Sequence, residues 1–336
     1  IKKEKKIITR VLPGGELSSN KGVNLPNTKI SQPSLTQKDK KDLEFILSQS
    51  IEWIGLSFVR SKKDVLEIKK EIKKSKHHAR IIAKIEKPQA IEKIEEIIDV
   101  SDAVMVARGD LGVEIPMHKL PIIQKQIVKT CLDKSKPVII ATQMLESMIE
   151  NITPTRAEVN DVANSVIDGA DAVMLSGETS TGSFPVQAVE LMRKIITDTE
   201  SFAVNKKKYK QKAGLRYISE AICYHSCNLA EQVGAHAIIT MTHSGYNAIE
   251  ISSYRPPCKV FAFTNNHTIL NTLSLVWGVV GFYYNNQNST DDTVQETQQI
   301  LKEQNFLQQN QLVINVTSMP IKEKGMTNTM KLSTVK

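Results

Sequence analysis

Arg80-Ile81-Ile82-Ala83-Lys84-Ile85-Glu86 is an apolar run of strand length that ends in a lysine and a glutamate two residues apart. Near-continuous isoleucine and alanine over so short a span predicts a strand covered on both faces, as in a parallel sheet. Side chains alternate along a strand, so Lys84 and Glu86 point the same way. Two charges in such a strand are costly unless they are paired or used. The residues alone leave both readings open, a structural ion pair and a working site.

Four further strands of this kind are predicted at 53–59, 103–109, 138–143 and 172–177, separated by amphipathic helices at 64–74, 90–98, 120–134 and 155–168, with a last helix after Pro185. Thr36 with Asp39 predicts a capped helix before them. Almost every strand ends in polar or small residues: Ser57; Lys84 with Glu86; Arg108-Gly109-Asp110; Thr142-Gln143; Ser176-Gly177-Glu178. A barrel gathers all its strand ends around one site, whereas an open doubly wound sheet uses one switch point. The predicted fold class is therefore α/β: a partial (β/α)8 TIM barrel, its last five β/α units, followed by a smaller α/β C-terminal domain. Three more units are expected upstream of Ile1, and this segment expressed alone, with raw sheet edges, is expected to fold poorly and lack activity. Residues 201–215 read as a lysine-rich linker, and beyond them a helix at 217–233 and strands at 237–242, 260–264, 279–284, 312–317 and 327–335 make the second domain.

The chain has 336 residues, 40% of them hydrophobic, enough for two cores. No apolar run approaches the ~18 residues of a membrane span, so no membrane association is expected, and the start at Ile1-Lys2-Lys3 has no signal-peptide character. A net charge of +8 raises nucleic-acid binding. The run Lys69-Lys70-Glu71-Ile72-Lys73-Lys74 has isoleucines at helical spacing and no interleaved aromatics, so it reads as the solvated face of a helix, with no nucleic acid as partner. Cys131, Cys223, Cys227 and Cys258 are scattered. Cys223 and Cys227 flank His225 at helical spacing, but no second ligand pair follows, so they are expected in a core as reduced thiols of a cytoplasmic protein.

Glu86 and Asp110 are two carboxylates at matching strand ends with no histidine or cysteine between them, an oxygen-only set suited to Mg²⁺. Gly109 lets backbone N–H groups approach an anion, and Thr142 adds a hydroxyl at the next strand end. Together with Lys84 they suit an anionic substrate whose charge moves during reaction, without naming it.

The longer strings resemble the pyruvate kinase family in order and spacing: Ile82-Ala83-Lys84-Ile85-Glu86, Val106-Ala107-Arg108-Gly109-Asp110-Leu111-Gly112, Ala141-Thr142-Gln143-Met144-Leu145-Glu146, Pro154-Thr155-Arg156-Ala157-Glu158 and Met174-Leu175-Ser176-Gly177-Glu178-Thr179. The similarity runs from Lys21-Gly22-Val23-Asn24-Leu25-Pro26 to Gly325-Met326-Thr327-Asn328-Thr329.

The resemblance implies transfer of a phosphoryl group from phosphoenolpyruvate to ADP, giving pyruvate and ATP in glycolysis. Lys84 would stabilise the enolate oxygen and Glu86 and Asp110 would hold Mg²⁺. Gly109, Asp110 and Thr142 would hold the carboxylate of phosphoenolpyruvate or pyruvate. It implies K⁺ as well, with ligands on barrel strands outside this chain, and a cytoplasmic homotetramer with Arg156 at a subunit contact. Residues 1–30 would be the tail of an inserted small β domain, 31–203 the C-terminal part of the catalytic barrel, and 204–336 the C-terminal α/β domain. Thr242-His243-Ser244-Gly245 is similar to a loop that binds a sugar-bisphosphate effector in some members, although Tyr246 and Asn247 depart from the pattern. Thr181 stands where many relatives have a lysine near the nucleotide. Two rival readings share these features. Another Mg-dependent phosphoenolpyruvate or pyruvate barrel enzyme would lack the second domain. A non-catalytic regulatory subunit would have no need of Lys84, Glu86, Asp110 and Thr142 intact.

Overall fold

Short apolar runs alternate with amphipathic ones, and the computed structural model shows them building two α/β units. It describes residues 35–202, 205–209, 216–286, 289–319 and 327–336, with short pieces at 2–3, 6–7, 10–12 and 14–15. Most of the expected small-domain tail at 1–30, the motif at Lys21–Pro26 and part of the linker lie outside the described residues. Within that tail, β1 (Lys2–Lys3) and β2 (Lys6–Ile7) form an antiparallel pair.

The first large sheet contains β3 (Trp53–Leu56), β4 (Arg80–Ile85), β5 (Ala103–Ala107), β6 (Val138–Ala141) and β7 (Ala172–Met174), all parallel and paired in chain order. Alternation gives this sheet two unlike faces. Ile54, Leu56, Ile81, Ala83, Ile85, Val104, Val106 and Ile140 pack with helix residues such as Val65, Ile68, Ile97, Ile127 and Val162 into the main core. On the other face Ile82, Ala103 and Ile139 form a separate small cluster with Trp53, Met105 and Met174, joined by Leu275 from the second unit. Sequential order with the helical cover on one face is a barrel wall; a doubly wound sheet reverses its order and carries helices on both faces.

Local chemistry sets the ends of these elements. Thr36 and Asp39 form a capping box at the helix Gln37–Ile46. The helix Lys62–Lys74 buries Val65, Ile68 and Ile72 and leaves Lys62, Lys63, Lys70, Lys73 and Lys74 exposed, the solvated face expected from the sequence. The strand expected over 103–109 stops at Ala107 because Arg108–Glu114 winds directly into a helix. The strand expected over 138–143 stops at Ala141 because Thr142 and Gln143 turn to φ +70° and +54°. The helix expected over 90–98 is two, Pro88–Glu92 and Ile94–Val100, broken at Lys93 with φ −117° and ψ 23°.

The second unit holds β8 (Ala237–Met241), β9 (Lys259–Thr264), β10 (Val279–Tyr283), β11 (Leu312–Thr317) and β12 (Thr329–Thr334) in the order β10-β9-β8-β11-β12, with only β12 antiparallel. Its helix Tyr217–Val233 sends Cys223, Cys227 and Ala230 into an apolar cluster with Ile238 and Ile251, so both thiols are core residues. The units meet at the N-terminal ends of the first sheet's strands. Arg80, opening β4, donates to the Ser244 carbonyl at 2.8 Å. Arg255 donates to the Gly169 carbonyl at 2.6 Å and to Asp171 at 3.1 Å, just before β7. The C-terminal strand ends are therefore left to the site. Among the described residues no helix is long and apolar enough to cross a membrane.

Candidate functional site

Lys84 and Glu86 meet at the C-terminal end of β4, as their two-residue spacing requires. The Lys84 ammonium lies 2.8 Å from Glu86 Oε1 and donates to Ser57 Oγ at 3.0 Å. The Glu86 side chain is 1% exposed and that of Lys84 28%, so the carboxylate is sunk in the rim and the ammonium still reaches the open side. Glu86 Oε2 accepts the Phe58 N–H at 2.8 Å, which holds the loop after β3 in a turn with Phe58 at φ +54°. Each carboxylate oxygen keeps a second lone pair.

Strand register brings the other residues to the same rim. Ile85 pairs with Val106, so Glu86 stands beside Ala107, and Ala107 pairs with Ala141. Gly109 and Asp110, expected at a strand end, occupy the first turn of the helix Arg108–Glu114. Asp110 is half-buried, and its carboxylate has no hydrogen bond or ion pair among the described residues. The Gly109 N–H donates to Thr142 Oγ1 at 2.8 Å, and the Thr142 hydroxyl donates to the Ala141 carbonyl at 2.6 Å. A Cβ at Gly109 would stand 3.4 Å from Thr142 Oγ1, in ordinary contact, so space alone does not require glycine here. No group of three or more histidine, cysteine or acidic side chains comes together among the described residues. Two carboxylates, one buried and one without a partner, fit an ion that fills its shell with water and phosphate oxygen.

Arg156 is the exposed first residue of the helix Arg156–Asp168, apart from these groups. Two residues on, Glu158 caps this helix with Thr155 and reaches the loop after β6, accepting from Ser147 N at 2.7 Å and Ser147 Oγ at 2.5 Å. Burial pushes the Glu158 carboxyl up, but the hydrogen bonds from Ser147 and Thr155 outweigh it and hold it below the usual range. The turn Thr242–Gly245 lies at the end of β8 in the second unit. Thr242 Oγ1 accepts the Gly245 N–H at 2.9 Å, Gly245 has φ +82°, and His243 and Ser244 are exposed. Tyr246 turns away from it, with Arg216 4.6 Å over its ring and Glu220 3.4 Å from its hydroxyl.

Arg108 and Glu178 appeared in the sequence only as strand-end polar residues without a role. Both are buried, at 7% and 2% exposure, and both bond to backbone of the loop after β6. Their partners in that loop lie more than 30 residues away in sequence, so no local spacing signals these contacts; burial of a charge behind a strand end is the one clue available.

Residues 1–189 match the pyruvate kinase barrel domain, and residues 220–333 match the pyruvate kinase alpha/beta domain. The chain is 41% identical to a pyruvate kinase of Bacillus licheniformis over 99% of its own length and 57% of the relative's. It is 40% identical to a pyruvate kinase of Clostridium acetobutylicum over 98% of its length and 70% of the relative's. A crystal structure of a pyruvate kinase from Cryptosporidium parvum superposes with a TM-score of 0.85 at 34% identity, over 93% of this chain and 64% of that one. The chain thus spans little more than half the length of the Bacillus licheniformis protein.

Proposed function

The chain belongs to the pyruvate kinase family, and on that premise we propose that the polypeptide carrying it passes the phosphoryl group of phosphoenolpyruvate to ADP. The observation that carries the reading is the Lys84–Glu86 pair, 2.8 Å apart on an apolar strand, at the same rim as the unpartnered Asp110. As a β-phosphate oxygen of ADP bonds to phosphorus, the bond from phosphorus to the enol oxygen breaks, and that oxygen keeps the electron pair. Lys84 lies where its ammonium meets this growing charge, and the enolate is then protonated at carbon to give pyruvate. Thr142 Oγ1 and the Gly109 amide, bonded here to each other and to the Ala141 carbonyl, exchange those bonds for the substrate carboxylate when it binds, with Asp110 backbone beside them. Positioning and electrostatics supply most of the catalysis in such transfers. Glu86 and Asp110 would hold Mg²⁺, which neutralises phosphate charge when bound.

The same reading takes in K⁺, an ATP product, a place in glycolysis, the cytoplasm, and a homotetramer with Arg156 at a subunit contact. It also takes in the division of the chain at 30/31 and at 203/204, the second supported by two five-stranded sheets that exchange no strand. The Thr242–Gly245 turn, with His243 and Ser244 exposed at its tip, is then the effector loop, tested by titration with fructose 1,6-bisphosphate. The main test is pyruvate formation from phosphoenolpyruvate and ADP by the natural polypeptide, followed through lactate dehydrogenase and NADH. Activity dependent on both substrates and on Mg²⁺ is expected; none, with the protein folded, overturns the reading.

A further inference from the structure

Thr142 and Gln143 are consecutive non-glycine residues at φ +70° and +54°. L residues seldom adopt this conformation, and it persists only where the surroundings impose it. Two buried charges supply that constraint. The Arg108 guanidinium donates through Nη2 to the Thr142 carbonyl at 2.6 Å and the Gln143 carbonyl at 3.2 Å, and through Nε to the Thr142 carbonyl at 3.2 Å. Its remaining edge is held by Asp161 at 2.6 Å. From the other side Glu178 Oε1 accepts the Leu145 N–H at 3.2 Å, and Oε2 accepts the Ser176 N–H at 2.7 Å.

Glu178 is 2% exposed and forms no ion pair among the described residues. A buried carboxylate satisfied by backbone amides alone is expensive for a purely structural filler. Its two oxygens instead tie the loop after β6 to the loop after β7. The turn therefore has a cation on its carbonyls and an anion on its amide.

We propose that Arg108 and Glu178 are positioning residues, a buried cation and anion that together hold the Thr142–Leu145 turn with Thr142 and Gln143 left-handed, and so keep Thr142 Oγ1 beside the Gly109 amide, where the hydroxyl can exchange the Ala141 carbonyl for the substrate carboxylate. This rests on the reading of Thr142 as a substrate contact. Neither residue touches substrate; each acts through the turn.

The test uses the natural polypeptide with Arg108→Lys, Glu178→Gln and Thr142→Val, alone and combined. Lysine cannot span two carbonyls, and glutamine presents an N–H₂ where one of the two amide donors needs an acceptor. Each is expected to lower kcat/KM for phosphoenolpyruvate by about 10- to 100-fold, with KM for ADP within about twofold. In the Thr142→Val background the added loss shrinks to less than about threefold, because the group being aimed is gone. Backbone hydrogen exchange at Gly109 and Leu145 is faster in both variants. Equal losses for the two substrates, or the full loss retained without the Thr142 hydroxyl, overturns the proposal. If Arg108→Lys fails to fold, Asp161→Asn loosens the same guanidinium and takes its place. A wild type without phosphoenolpyruvate-dependent ATP formation sinks the parent reading alone, and unchanged exchange at Leu145 in Glu178→Gln sinks the clamp independently.

Discussion

Lys207 is the middle of the run Lys206-Lys207-Lys208, yet its side chain is 4% exposed. Its ammonium lies 2.5 Å from Glu250 Oε1, a side chain 3% exposed, and 2.6 Å from Ser135 Oγ, with the Tyr254 ring 4.5 Å away. Burial and the Glu250 charge push the Tyr254 hydroxyl up. This one ion pair joins the segment between the units, the helix Tyr246–Ser253 of the second, and the loop before β6 of the first. At 2.5 Å the gross attraction is about 6–7 kcal/mol at an effective dielectric of ~20. Desolvation of several kcal/mol per ion offsets most of it, so the intact pair contributes little net. Removing one partner is different: Lys207→Met strands a buried carboxylate and is expected to cost about 3–5 kcal/mol. That corresponds to a melting shift of about 6–20 °C. Lys207→Met with Glu250→Gln removes both charges and is expected to recover more than about half of the loss. Differential scanning calorimetry on the natural polypeptide reads both, and shows whether the units begin to melt separately, since two units need not unfold in one step. A single variant within about 2 °C of wild type, or a double variant that loses the sum of the singles, refutes the reasoning.

Three further outcomes follow. Glu158 has a folded pKa below its unfolded value, so its contribution is present above the usual carboxylate pKa and is lost as pH falls through the depressed one. Glu158→Gln should therefore be less stable by about 1–2 kcal/mol near neutrality, with the gap closing below about pH 4; a pH-independent gap counts against the cap. Burial pushes the thiols of Cys131, Cys223 and Cys227 far above the usual cysteine range and that of Cys258 up to about 11, so iodoacetamide at pH 8 should leave these four thiols almost unlabelled in the native protein, and prompt labelling of Cys223 or Cys227 contradicts their core placement. β3 and β7 each leave an unpaired edge among the described residues, so these 336 residues expressed alone should self-associate and lack activity; a micromolar monomer with cooperative unfolding and full pyruvate formation is the contrary result.

Lys84 and Glu86 were legible because a period of two and an apolar strand make any charge conspicuous. The barrel order was legible for the same reason, since each strand announced its polar end. The strand ends themselves were overrun. Nothing in the composition of Thr142-Gln143 marks two left-handed residues, and Arg108 looks like a strand residue until its guanidinium is seen to turn back onto them. The break at Lys93 was hidden because Ile91, Ile94, Ile97 and Ile98 keep helical spacing across it. Lys207 was read as one charge in a lysine-rich linker, since its partner Glu250 lies 43 residues away on another unit. Long-range partners of buried charges are what spacing cannot carry.

On this reading the buried Glu86 carboxylate beside Lys84 works in phosphoryl transfer and is more than a structural ion pair. Its most direct test is the rate of pyruvate formation from phosphoenolpyruvate and ADP by the natural polypeptide and by its Glu86→Gln variant across a Mg²⁺ titration. Glu86→Gln is expected to lose about 10²–10³ in kcat and to need more Mg²⁺ in a protein that stays folded. A folded variant within about threefold of wild type, with its Mg²⁺ dependence unmoved, would contradict it.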